Sequence, residues 1–298
     1  MIALVSVAAA HALDEDMQPL SAALDAAGIA HHVVYWDDQS VDWSTFRAVL
    51  IRSPWDYIDK LPEFLAWAAR VSAQSVLLNP LNVIESNTDK HYLDTLAKQG
   101  IYTVPSHFIE PEQHAEDGLR AFLDAYEHAE FVVKPAVGAG SKDAQRYARE
   151  DTESALMHIH RLQFKNRSVL LQPYLSKVDE AGETALLFFN GVYSHAIRKG
   201  PLLKRNEGPT DLLFAPEQIV ARAPSDDEQT LAQQVIAALP GLFQLHGPLA
   251  YARIDLLLDE DGKPCLLELE LTEPSLFFNY ADGAAERFVA ALKSRLHL

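Results

Sequence analysis

The dipeptide Asp261-Gly262, set between two apolar, β-rich runs at residues 251–260 and 263–271, constrains this chain more than any other feature. Asp-Gly is a preferred centre for a two-residue hairpin turn, so the runs are read as antiparallel strands whose register the turn sets. With Glu260 opposite Lys263, Asp255 faces Glu268 and Arg253 faces Glu270, and the alternation of side chains puts all four on one face. Like charges opposed across strands destabilise a sheet, and three carboxylates framed by Leu256, Leu257, Leu267, Leu269 and Leu271 cannot be desolvated alone. The face therefore needs a cation. Oxygen-only ligands on neighbouring strands suit Mg²⁺, which keeps several waters and is completed by substrate phosphates. A solvated edge-hairpin face, with Arg253 and Glu270 as a surface ion pair, is the alternative that the residues leave open.

The rest of the chain restricts what such a face can serve. Its 298 residues exceed the usual size of one domain, and 48% of them are hydrophobic, enough for a substantial core. The net charge of −17 repels nucleic acid and anionic membranes, so a phosphate-bearing ligand requires a locally positive pocket or a divalent cation. No run reaches the length of a membrane span. Residues 1–12 are apolar but lack a basic start and meet Asp14, Glu15 and Asp16, so they are read as a buried strand and not an export signal. The single cysteine, Cys265, forms no internal bridge and fits a reducing cytoplasm.

Short apolar runs at 2–8, 32–35, 48–51 and 76–78 alternate with helical stretches at 16–27 and 63–71, a β-α-β rhythm that predicts a mostly parallel sheet. Ligands of such sheets sit at the carboxyl ends of strands, which makes Arg52, Ser53, Trp55 and Asp56 candidates for contacting a substrate. Asn79, Pro80 and Asn82 break the pattern, and a first boundary is placed near residue 85. The next block reads as a helix from 86 to 99, a strand at 104–109, a helix at 116–129, strands at 131–134 and 169–172, and a helix at 151–162 between them. Beyond residue 182 the pattern is antiparallel.

Residues 131–134 form a strand ending in Lys134, followed by a loop rich in small residues that includes Gly138, Gly140 and Ser141. Small residues let backbone N–H groups approach an anion. Lys134, Lys142, Arg146 and Arg149 against the single acid Asp143 predict the required positive patch. The loop fits neither the Walker A nor the dinucleotide fingerprint. Gln172-Pro173-Tyr174-Leu175 is an extended segment whose proline ends the strand and leaves backbone groups free for an adenine edge, with Glu183 placed for ribose hydroxyls.

Taken in order, Lys90, Lys134 with its loop, Gln172 to Leu175, Glu183, the pair Arg198-Lys199, and the set Asp255, Glu268 and Glu270 resemble the signature of the ATP-grasp superfamily. The resemblance spans the whole chain. Within the superfamily the phrases around Arg52, Val133 and Leu267 are most similar to glutathione-synthetase-like ligases and to the enzyme that closes the cycloserine ring from O-ureido-serine. It implies an α/β architecture in three units: an N-terminal parallel-sheet domain at 1–85, a central lid domain at 86–176 and a C-terminal antiparallel-sheet domain at 177–298. It further implies that Lys90 and Lys134 bind the α and β phosphates of ATP, that residues 138–141 close over the γ-phosphate, and that Asp255, Glu268 and Glu270 hold two Mg²⁺ ions. Many members have Asn where Glu270 stands, so the coordination is not carried over in detail.

The implied reaction is ATP-dependent activation of a substrate carboxylate as an acyl phosphate, followed by displacement of phosphate by an amine or other nucleophile. Arg198, Arg253 and Lys199 are the cations expected to stabilise the transferring phosphoryl group or grip the acyl group. Arg52, Ser53, Trp55, Asp56 and Ser275 are expected to face a small-molecule substrate. An intramolecular cyclisation, an intermolecular ligation and a nucleotide-binding regulatory protein without turnover are the three functions compared, and a homodimer or larger homo-oligomer is compatible with all of them. The twelve histidines lack metal-ligand spacing, and Cys265, Trp36, Trp43 and Trp67 are expected to pack.

Overall fold

The structure, a computed structural model, describes residues 1–203 and 218–298. The chain opens with β1 (Ile2–Ser6), α1 (Met17–Ala26), β2 (His31–Tyr35), β3 (Ala48–Ser53), α2 (Leu61–Ser72) and β4 (Val76–Leu78), and its four strands form a parallel sheet in the order β2-β1-β3-β4. Residues of β1 and β3 are buried throughout, as expected for strands covered on both faces. On one face Ala3, Val5, Val49 and Ile51 pack against α2 and an aromatic cluster containing Trp36, Trp43, Phe64 and Trp67.

Two short helices follow, α3 (Leu81–Asn87) and α4 (Tyr92–Lys98), where one helix from 86 to 99 was predicted. The interruption positions Lys90, whose backbone N–H donates to the Ala136 carbonyl at 3.0 Å. Next come β5 (His107–Ile109), α5 (Ala115–Ala125), β6 (Glu130–Pro135), β7 (Gln145–Ala148), α6 (Thr152–Phe164) and β8 (Val169–Pro173). These strands form an antiparallel sheet in the order β5-β8-β6-β7, packed against α5 and α6. The glycine-bearing loop is therefore the connection of the β6–β7 hairpin.

The remaining elements are α7 (Val178–Ala181), β9 (Glu183–Phe189), β10 (Val192–Lys199), β11 (Ile219–Ala221), α8 (Asp226–Phe243), β12 (Tyr251–Leu258), β13 (Pro264–Glu270) and α9 (Ala284–Leu296). Their strands make an antiparallel sheet in the order β11-β10-β9-β12-β13. Leu186, Phe188, Ile254 and Leu256 on one face pack on α8 and α4. On the other face Leu187, Phe189 and Tyr251 share a core with α9, α1 and the β1–β3 strands. The first and last sheets are thus joined through common packing.

β13 is a sheet edge, and its outward backbone groups would be orphaned without partners. They are satisfied from residues 79–104. Asn87 Nδ2 donates to Leu269 O at 2.8 Å while its Oδ1 accepts from Leu271 N at 2.7 Å, Tyr92 Oη accepts from Leu269 N at 3.0 Å, and Leu266 exchanges backbone bonds with Tyr102 and Val104. The strand carrying Glu268 and Glu270 is held on both sides.

Candidate active site

The hairpin turn differs from its prediction. Asp259 N donates to Lys263 O and Gly262 N to Asp259 O, each at 2.9 Å, so the loop is the three residues Glu260, Asp261 and Gly262. Gly262 takes the left-handed conformation (φ +84°) that such loops require. This shifts pairing by one residue, giving Leu258 opposite Pro264 and Leu256 opposite Leu266. A bulge then shifts it back, and Asp255 faces Glu268 and Arg253 faces Glu270 as the sequence predicts.

That acidic face forms one wall of a cavity of about 210 Å³. The lining also includes Lys90, Lys134, Gly138, Gly140 and Ser141, the hinge residues Gln172, Pro173, Tyr174 and Leu175, the pair Glu183 and Lys199, and Trp55 and Ser275. Residues of the second and third sheets and of the segment that follows β3 therefore meet in one cleft. Contrary to the expectation from the proline, pairing with β6 runs past Pro173: Tyr174 N donates to Glu130 O at 2.9 Å, so this N–H is not free for an adenine edge.

Opposite charges interlock around the cleft. Lys90 Nζ lies 2.9 Å from Glu268 Oε1 and donates to Gly138 O at 2.8 Å, which ties the acidic face to the glycine loop. Lys199 pairs with Glu183, its cross-strand neighbour, and with Asp255 at 2.8 Å. Arg253 binds Asp255 through Nε and Nη2, both at 2.9 Å, and also Glu270. Burial acts to raise the Asp255 carboxyl, but Arg253 and Lys199 overcome it and hold it below the usual range. Glu268 is likewise lowered against its burial by Lys90 and Lys134. Burial wins at Glu270, lifting it to about 8 against the pull of Arg253 and with Asp255 and Glu268 adding to the rise, and it pushes the Lys134 ammonium down to about 8. Asp255, Glu268, Glu270 and Glu183 are thus matched by Lys90, Lys134, Lys199 and Arg253, so charges of both signs are interleaved around the face.

Among the described residues no three acidic, histidine or cysteine side chains converge on one point. Arg253 lies between Asp255 and Glu270, bonded to both. The donor set itself is carboxylate oxygen only, which fits a hard cation such as Mg²⁺.

Residues 2–79 match the family described as D-cycloserine synthetase DcsG, N-terminal domain. The whole chain is 42% identical over 299 residues to the cycloserine biosynthesis protein DcsG of Streptomyces lavendulae, covering 99% of each. The chain belongs to the DcsG family of ATP-grasp ligases. The crystal structure of D-cycloserine synthetase DcsG shares 41% identity and superposes with a TM-score of 0.94, over 99% of both chains. The fold extends to the ATP-grasp ligase PsnB, solved with its minimal precursor, Mg and ADP, at 18% identity, a TM-score of 0.63 and coverage of 100% and 98%.

Several expected contacts of this DcsG-family ligase fall elsewhere. Arg198 alternates with Lys199 along β10 and points away from the cleft, donating through Nε to Ala181 O at 2.6 Å and through Nη2 to Glu180 O at 2.9 Å. Arg52 and Ser53 end a strand buried on both faces and are fully buried themselves. Arg52 donates to Pro274 O at 2.9 Å and Ser53 to Ser6 Oγ at 2.8 Å. Asp56 accepts from Trp36 Nε1 and Lys60 Nζ, both at 2.8 Å. The expected basic patch also divides. Lys142 pairs with Asp59 at 2.7 Å, Arg146 pairs with Glu130 and stacks 3.5 Å over Tyr174, and Arg149 donates to the Leu123 and Tyr126 carbonyls. Asp143 instead anchors the loop to Arg161 at 2.7 Å and Arg167 at 3.3 Å.

The cleft also contains Tyr57, Asn87, Thr88, Glu273 and Phe277, none of which was singled out as a site residue. The Glu273-Pro274-Ser275 phrase three residues beyond Glu270 was the available signal. Cys265 is packed, and burial pushes its thiol up to about 12, which makes it a poor nucleophile.

Proposed function

We propose that this ligase activates a small-molecule carboxylate as an acyl phosphate at the expense of ATP and closes a C–N bond within one amino acid derivative, as in the making of a cycloserine ring. The observation that carries the reading is the cleft itself. Asp255, Glu268 and Glu270 line it together with Lys90 and Lys134, in a chain 42% identical to a cycloserine biosynthesis protein over its whole length. The buried, free Cys265 is in keeping with action in the reducing cytoplasm. No helix among the described residues is long and apolar enough to cross a membrane.

The chemistry follows from charge placement. Lys90 and Lys134 receive the phosphates of ATP, and the backbone of residues 138–141 lies against the terminal one, so the nucleotide is oriented before reaction. The hinge at Gln172 to Leu175 offers to the adenine edge those backbone groups that remain once Tyr174 N is bonded to Glu130 O, and Glu183 offers a carboxylate to the ribose. Asp255, Glu268 and Glu270 would hold Mg²⁺, two ions in the full reading, which when bound neutralises charge on the phosphate oxygens. A substrate carboxylate oxygen attacks the γ-phosphorus and ADP leaves. The ureido nitrogen bonded to the side-chain oxygen then attacks the acyl carbon and gives up a proton as inorganic phosphate departs, and hydrolysis releases the carbamoyl group left on that nitrogen as CO2 and NH3. Arg253, aimed into the cleft, is the cation best placed to hold the acyl phosphate, with Lys199 beside it.

The test is ADP release by purified protein with ATP, Mg²⁺ and O-ureido-serine, with cycloserine, phosphate, CO2 and ammonia as the co-products. Release that requires a pair of amino acids and not a single derivative would instead assign intermolecular ligation.

A second expectation concerns pH. Lys134 has its ammonium lowered to about 8 in the free protein, chiefly by burial, whereas Glu268 holds the Lys90 ammonium above its ordinary value despite burial. Phosphate binding favours charged Lys134, so affinity for ADP in Mg-free buffer stays level below pH 8 and falls above it, by at most about tenfold per unit. Calorimetry between pH 6.5 and 9.5 measures this, and an affinity that stays level to pH 9.5 contradicts the role of Lys134.

A further inference from the structure

Glu273 is the acid in the cleft that the ligase reading leaves without a task. Every other carboxylate there has a cation: Glu183 and Asp255 bind Lys199, Glu268 binds Lys90, and Glu270 binds Arg253. Among the described residues Glu273 forms no ion pair. Its hydrogen-bond donor is the neutral phenol of Tyr57, a buried side chain that also lines the cavity. Burial raises its carboxyl to about 7, the direction expected for an acid short of a positive partner.

Its backbone is rigidly placed. Trp55 Nε1 donates to the Glu273 carbonyl at 3.2 Å and buried Arg52 donates to that of Pro274 at 2.9 Å. Buried Asp16 accepts from the N–H groups of Phe277 and Phe278 at 3.2 and 2.8 Å. Three side chains of the N-terminal sheet region are thus spent on holding this one segment, and two of them, Arg52 and Trp55, are residues the sequence marks for substrate contact. They present Glu273 in the lining of the cleft, which also includes Trp55 and Phe277. A fixed, partly desolvated carboxylate with one neutral donor and apolar neighbours has the chemistry of an ammonium receptor.

We propose that Glu273 binds the ammonium group of the substrate, so that the enzyme selects amino acid derivatives over otherwise identical carboxylates. This rests on the ligase reading above for the location of the substrate. A charge-assisted bond of this kind corresponds to about 10- to 100-fold in affinity.

The test compares O-ureido-serine with its des-amino analogue, 3-(ureidooxy)propanoate, by calorimetry on protein loaded with ADP and Mg²⁺. Wild type is expected to prefer the amine by about 10- to 100-fold, and Glu273→Gln to reduce that preference to about threefold or less by weakening only the amino compound. A general structural defect would weaken both. If Glu273→Gln does not fold, Glu273→Asp, which withdraws the same charge by one methylene, should lower the preference by several-fold. A preference that survives either substitution, or wild type that does not discriminate, overturns the assignment. ADP release by wild type judges the ligase reading separately. Turnover with a preference that survives Glu273→Gln sinks only the Glu273 assignment, and an amine preference that Glu273→Gln removes, in a protein that never releases ADP, sinks only the ligation chemistry.

Discussion

Replacing Glu268 by Gln is expected to lower Mg²⁺-dependent turnover by at least about 10³-fold, equivalent to about 4 kcal/mol in the barrier, while leaving the fold in place. The side chain lies opposite Asp255 in register and bridges to Lys90 at 2.9 Å, so it sits where the acidic face meets the phosphate-binding cations. Gln keeps the shape and an oxygen that can accept from Lys90, and Lys90 retains its bond to Gly138 O, so the melting midpoint should move by only about 3 °C or less. Affinity for metal-free ADP gives a further check with a definite sign. Removing a negative charge beside Lys90 and Lys134 should leave that affinity unchanged or improved, whereas the strengthening of ADP binding by Mg²⁺ should disappear. Turnover within tenfold of wild type would contradict the placement of Glu268 among the metal ligands.

The sequence foretold this face correctly through an argument with two compensating errors. An Asp-Gly pair strongly suggests a two-residue turn, and the actual loop has three residues, yet the bulge at Leu267 restores the pairing of Asp255 with Glu268. Alternation along a strand is local and survives such errors, which is why Lys199 and the acidic face were legible. Arg198, its neighbour, was assigned to the same site, though alternation sends it to the opposite face. Where a side chain's role depends on a distant partner, local pattern is silent. Arg52 looks like a strand-end residue facing substrate until Pro274, more than two hundred residues away, claims it. Glu273 stands in a loop with no periodicity, and only the approach of Tyr57 distinguishes it from a surface acid. A purely antiparallel reading of the C-terminal half also omits α8, although Ser225 and Glu228 form the reciprocal cap that announces a helix start.

The most severe loss of stability is expected at a residue that reads, in sequence, as a mere break. Asn79 follows β4 and is fully buried, where its side chain donates to Tyr251 O and Leu271 O, both at 2.9 Å, and accepts from Ala250 N at 2.8 Å. Those three backbone groups lie at the start of β12 and just past the end of β13, so one amide fastens the first sheet to both strands that carry the acidic face. Asn79→Leu fills the space but leaves two carbonyls and one N–H buried without partners, each costing about 1–3 kcal/mol. The total expected is about 3–6 kcal/mol, because the three losses share one site and do not add fully. At roughly 2 °C per kcal/mol for a chain of this size, the melting midpoint should fall by about 6 °C or more. Asn82→Ala supplies the contrast: Asn82 is exposed and donates to the single carbonyl of Phe243, so the shift should be no more than about 3 °C. Equal shifts for the two variants, measured under identical conditions, would show that Asn79 does not join the sheets, since a side chain fastening three backbone groups cannot be replaced as cheaply as one holding a single carbonyl.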